Sequence, residues 1–145
     1  MKPEIESLIK AATSQNVPNT LLEVEALEAA IGKVPDSLRR LMVRYGSFSF
    51  KNFMQVTGTL LGDLPISTFY SATNPYGILD DLDSFPDLRK NDLIPFADDE
   101  FDDRFAYSTR DQSVWFVDTT YELGIRQASP TIEQFLNSLC VDESI

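Results

Sequence analysis

Residues 28 to 46 decide how this chain is read: Glu28-Ala29-Ala30-Ile31-Gly32-Lys33-Val34-Pro35-Asp36-Ser37-Leu38-Arg39-Arg40-Leu41-Met42-Val43-Arg44-Tyr45-Gly46. A helix stops at Gly32, a two-residue link follows, Pro35 starts a second helix, and Gly46 stops that one. Glycine ends a helix at low cost because it enters positive φ freely. Proline fixes φ where the next helix begins. Leu38, Leu41, Met42 and Tyr45 fall at offsets 0, 3, 4 and 7, so Asp36 to Tyr45 is a helix with one apolar face. Arg39, Arg40 and Arg44 take the other side.

Upstream, Ile5, Leu8, Ile9 and Ala12 make an apolar stripe on a helix over residues 3 to 14, with Glu4 and Glu6 in the first turn, where negative charge suits the dipole. Thr20 followed by Glu23 has capping-box spacing, which predicts a helix over 21–31 buried through Val24, Leu27 and Ile31. Downstream of Gly46 the period changes to two. Phe48 and Phe50 alternate with polar residues, and Gln55 to Leu61 predicts a second strand ended by Gly62-Asp63. Ile66 to Ala72 predicts a third. Asn74-Pro75 is expected to open a short helix to Leu82, and Ser84 to Asp92 a loop. Strands follow at Leu93 to Ala97, Arg104 to Ser108, Val114 to Asp118 and Leu123 to Gln127, with a turn at Arg110-Asp111-Gln112. A closing helix, 130–140, is capped by Ser129 and carries Ile132, Phe135, Leu136 and Leu139. Helices, then strands, then a helix is the α+β order. The expectation is a single domain over 1–145: a twisted, mostly antiparallel sheet with helices packed mainly on one side. Its size suffices to bury roughly 70% of the unfolded surface.

The charge is local. The chain carries −11. Residues 80 to 103 hold Asp80, Asp81, Asp83, Asp87, Asp92, Asp98, Asp99, Glu100, Asp102 and Asp103, opposed only by Arg89 and Lys90, so that segment alone carries −8. A concentrated acidic patch points to a basic partner. It argues against direct nucleic-acid binding, which needs clustered Lys and Arg. Asp98, Asp99, Glu100, Asp102 and Asp103, helped by Asp80, Asp81 and Asp83, are the candidate partner-binding residues. Tyr70 and Tyr76 are candidate exposed aromatic anchors. Trp115 and Phe116 are adjacent on a strand and should face opposite ways. Cys140 is the only cysteine, which excludes an internal disulfide and fits a reducing compartment. With no signal-peptide pattern and no apolar run of about 20 residues, a cytoplasmic protein is expected, monomeric or a weak homodimer.

No catalytic constellation is present. The chain has no histidine, which removes the commonest general base, the usual Ser and Cys triads and most zinc sites. It has no cysteine cluster and no nucleotide-binding glycine loop. Alternate acids at Asp98, Glu100 and Asp102 superficially resemble a calcium loop. That loop, however, requires glycine at its sixth position and glutamate at its twelfth, where Asp103 and Thr109 stand. No cofactor or metal is expected. A carboxylate-dependent hydrolase is the last-ranked alternative.

Three islands together resemble the SUKH superfamily, across about residues 20 to 140. The first is Glu28 to Gly46, similar to the family's E-x-x-L-G-x-x-L-P, short helix and glycine. The second is Ile94-Pro95-Phe96-Ala97-Asp98 leading to Arg104-Phe105-Ala106-Tyr107. The third is Ser129 to Leu139, with Pro130 in place of the family's aromatic. The usual Gly-Asp after Pro-Phe-Ala is reduced to Phe101-Asp102-Asp103, and the glycine pair after the 36–45 helix to Gly46-Ser47. The resemblance implies a non-enzymatic binding protein. Its expected role is that of an immunity protein neutralising a toxin, often a nuclease; the rival is a regulator of the cell-wall assembly type. A nuclease presents a basic surface to phosphates, and an acidic patch can occupy it while raising the association rate.

Overall fold

A computed structural model describes residues 1–12, 17–119 and 124–144. Element order is α1 (Pro3–Ala12), α2 (Leu21–Ile31), α3 (Asp36–Tyr45), β1 (Phe48–Thr59), β2 (Gly62–Phe69), α4 (Ile78–Ser84), α5 (Pro86–Lys90), β3 (Leu93–Asp98), β4 (Arg104–Ser108), β5 (Val114–Asp118), β6 (Gly124–Ser129), α6 (Ile132–Asn137) and β7 (Leu139–Val141). One antiparallel seven-stranded sheet runs β6-β5-β4-β3-β2-β1-β7, the expected α+β architecture. Among the described residues no helix is long and apolar enough to cross a membrane.

The helical entry forms as its residues dictate. The capping box at α2 is complete: the Thr20 hydroxyl accepts from the Glu23 N–H at 3.2 Å, and Glu23 accepts from the Thr20 N–H at 2.8 Å. Gly32 and Gly46 both have positive φ, but with ψ of 175° and −145° they occupy a mirror-extended region rather than the left-handed helical one expected. Glu28 explains the rest of the link. Its carboxylate accepts the Val34 N–H at 3.0 Å and the Arg39 Nε–H at 3.2 Å, tying the Gly32–Pro35 link to α3.

The core is an aromatic sheet face. Phe48 stacks on Phe69 at 5.0 Å, Phe69 lies 6.1 Å from Phe96, and Phe105 lies 5.6 Å from Phe116. Phe135 of α6 contacts both Phe96 and Phe105, at 5.5 and 5.2 Å. Tyr45 of α3 meets Phe48 edge-on. Phe116 points into this core, whereas its neighbour Trp115 is half-buried and its indole donates to the Ser113 hydroxyl. The two thus face opposite ways, as alternation requires.

Several boundaries move. The two strands expected over 48–61 are one, β1, with a register shift between Ser49 and Met54, and the third expected strand begins earlier, at Gly62. The helix expected from Asn74 begins at Ile78. Tyr76 has φ 61°, and the Ser71 N–H bonds the Tyr76 carbonyl at 3.0 Å, a loop closure no helix permits. Within the expected 84–92 loop lies α5. Ser129 ends β6 instead of capping α6; Thr131 is the cap, accepting from the Gln134 N–H. Helix α6 stops at Asn137, and Leu139 to Val141 pair with Val56 to Met54 as β7. The end of the 3–14 helix and Leu123 lie outside the described residues.

The first hairpin reaches the opposite edge of the sheet. The Leu60 N–H donates to the Ala128 carbonyl of β6 at 2.9 Å, so the sheet coils until its β1–β2 tip touches β6.

Candidate functional site

The local geometry that builds the acidic face starts at a β-bulge. Pro95 pairs with Ala106 and Ala97 with Phe105, which leaves Phe96 as an extra residue. A bulge shifts the parity of every side chain beyond it. Asp98 therefore lies opposite Arg104, on the face away from Phe105.

Arg104 is the centre of the site. It is 8% exposed. Its Nε–H is shared between both oxygens of Asp81, each at 3.1 Å, and Nη1 donates to the Asp102 carboxylate at 2.8 Å and the Asp102 carbonyl at 2.6 Å. The guanidinium lies 5.0 Å from the centre of the Phe85 ring and 5.9 Å from that of Tyr70. The Tyr70 hydroxyl donates to Asp98 at 2.7 Å. One buried cation thus joins α4 to the loop between β3 and β4, segments the sequence reading linked only by their charge.

Burial and pairing compete in this cluster, and burial wins at the acids. Asp81 and Asp98 are pushed above the ordinary carboxylate range by desolvation. Arg104 pulls both down but does not offset it, and for Asp98 the Tyr70 hydroxyl also pulls down. Asp99 is raised for the same first cause, against the backbone N–H groups it accepts. Tyr70 is held well above the usual phenol range by burial and by Asp81 and Asp98. Desolvation would lower Arg104, but the hydrogen bonds to Asp81 and Asp102 more than reverse it.

The eight acids therefore divide. Asp81, Asp98 and Asp102 surround Arg104. Asp99 is buried and turned inward, accepting the Phe101 and Asp103 N–H groups at 2.9 Å each. Asp103 accepts the Thr119 N–H at 3.1 Å. Asp80 and Glu100 are exposed, and neither is held by these bonds. Asp83 is also exposed, but it stands about 200° round α4 from Asp81, so the structure does not bring it to the cluster. Asp102 has φ 69°, a conformation Asp tolerates better than most residues. It thus supplies the turn a glycine would otherwise make.

Of the two tyrosines, Tyr70 is buried and Tyr76 is 53% exposed, stacked on Tyr70 with centroids 6.4 Å apart. Tyr70 is thus part of the support, and Tyr76 is the exposed ring. Together with Asn74, Pro75, Asp80, Asp81 and Ser84 they bound an open cleft of about 290 Å³. Phe101, at the tip of the acidic loop, is 68% exposed; sequence reading missed it, although an aromatic inside an acidic turn was the available signal. Arg104 was missed as well. One base after a run of acids was visible, but its burial was not. Among the described residues no group of three or more His, Cys, Asp or Glu is arranged to hold a metal ion.

Comparison with curated proteins and with solved structures returned no match. From the loop before α2 to the end of α6, residues 18–138 match the SMI1 / KNR4 family (SUKH-1), and the chain belongs to that family.

Proposed function

We propose that this protein binds and neutralises a toxin domain with a basic surface, using the face built around Arg104. Family membership supports a protein-interaction module of the immunity or regulatory type. The observation that carries the finer reading is the double ion pair of Arg104 with Asp81 and Asp102, which draws two acidic runs into one surface. Exposed Asp80, Glu100 and Asp102 give that surface its negative charge. Tyr76 and Phe101 supply exposed aromatic area of the kind that anchors protein interfaces. Acids around aromatic anchors suit a cationic protein: charge speeds the encounter, and buried rings hold the complex.

The test begins with the genes beside this one: a toxin domain encoded there is expressed alone and with the chain, and the absence of any such gene would count against the reading. Co-expression should restore growth. Association should slow markedly from low to physiological salt, where screening shortens to about 8 Å. Changing Asp80 and Asp102 to Asn and Glu100 to Gln should weaken neutralisation, and Asp83→Asn should affect it least. Unchanged affinity in the triple variant would move the toxin site elsewhere.

A further inference from the structure

Helix α3 turns a second surface outward. Between it, the start of α2 and α6 lies a groove of about 690 Å³, with Leu21, Leu41, Val43 and Leu136 among its apolar lining and Arg40 and Arg44 beside them. Leu21 is 54% exposed. The acids lining the groove are engaged: Glu6 with Arg44 at 3.5 Å, Asp36 with Lys33 at 3.7 Å, and Glu133 with the Ser37 hydroxyl at 3.0 Å. Arg40 is exposed and has no ion-pair or hydrogen-bond partner among the described residues. In a chain of charge −11, this is a site where an apolar floor meets an uncommitted cation. The hydroxyl of Tyr45, another lining residue, is buried without a protein partner.

The chain itself carries a segment of matching chemistry. At the tip of the β3–β4 loop, Phe101 projects between Glu100 and Asp102, and the Asp99 carboxylate fixes the turn through two backbone N–H groups. We propose that a second copy of this chain seats Glu100-Phe101-Asp102 in the α3 groove. Phe101 lies on the apolar floor, and the exposed Glu100 carboxylate beside it meets Arg40. A turn already held in shape loses little entropy on docking, and an arginine over the Phe101 ring adds a cation–π contact. Groove and tip share no residue, and the contact proposed is the heterologous one, head to tail, in which one groove takes one tip. Because it occupies the tip assigned to the toxin, a tip seated in a groove is closed to the toxin.

The salt response separates the two. Two chains of −11 repel at long range, and screening to about 8 Å removes that repulsion while sparing buried pairs. Self-association therefore tightens from low to physiological salt, the opposite of toxin association.

Sedimentation velocity of the full chain over a concentration series tests this. Wild type should rise in mean mass with concentration. A groove variant, Arg40→Glu with Arg44→Glu, and a tip variant, Phe101→Ser, should each associate at least about tenfold more weakly, the loss expected for an interface anchor. Mixed, they should form a one-to-one complex, because the first keeps its tip and the second its groove. Circular dichroism checks folding, and Arg40→Gln serves if the double variant is unstable. The groove variant should still neutralise the toxin, so loss of self-association and loss of the toxin reading are distinguishable. A wild type monomeric at every concentration, variants that associate normally, or a mixture without the one-to-one complex would each overturn the proposal.

Discussion

Arg104 and Asp81 stand 23 residues apart in sequence, yet one N–H of the arginine is shared evenly between both oxygens of the aspartate, each at 3.1 Å. The side chains are 9% and 13% exposed. Removing one member of such a pair leaves the other charged and desolvated, which costs far more than the pair itself contributes.

Arg104→Met should therefore destabilise the fold by about 3–5 kcal/mol, measured by urea unfolding through Trp115, the only tryptophan. Adding Asp81→Leu should recover part of that loss, because the stranded carboxylate goes with it. A cost near zero for Arg104→Met alone would mean the cluster is solvated.

Stability should rise on mild acidification through the contribution of this cluster. Asp81, Asp98 and Asp99 all bind protons more tightly when folded than an ordinary carboxylate does. As pH falls from neutral through those raised values, the folded chain takes up protons that the unfolded chain does not, so folding is favoured. The gain levels off below the ordinary carboxylate pKa, where both states are protonated. Asp98→Asn, which still accepts from Tyr70, should flatten the rise; equal slopes in variant and wild type would count against this assignment.

The two helix-stopping glycines should differ in cost. Gly32→Ala meets nothing within 4 Å and should lose only the strain of its backbone region, about 1–3 kcal/mol. Gly46→Ala carries the same strain and also drives Cβ into the Val17 carbonyl oxygen, a backbone atom that cannot rotate away. Thermal unfolding of both should rank Gly46→Ala clearly lower.

Glu28→Ala should cost about 1–3 kcal/mol by leaving the Val34 N–H and Arg39 without an acceptor. Glu28→Gln keeps one carbonyl oxygen and should fall between it and wild type in the same denaturant titration.

What was legible in the sequence follows physical range. The bounds of α2, α3, β4 and β5 agree with the reading because caps, glycines and apolar period are local signals. Strand β7 was not legible: Leu139 continues the helical spacing of Ile132, Phe135 and Leu136, and only pairing with β1 reveals the change. The acidic runs were visible as charge. Their division into outward Asp80 and Glu100 and inward Asp81, Asp98 and Asp99 was not, because it depends on the Phe96 bulge and on the burial of Arg104. Both are products of tertiary register.

The β1 edge has a consequence for how the chain comes to be folded. It is covered by β7, and Val56 and Leu139 are about eighty residues apart; the hairpin tip likewise waits for Ala128. Pairings of such separation are slow, since loop closure precedes their reward. Until residue 141 has joined, a growing chain presents the β1 edge unpaired, the kind of open edge on which another chain can add a strand.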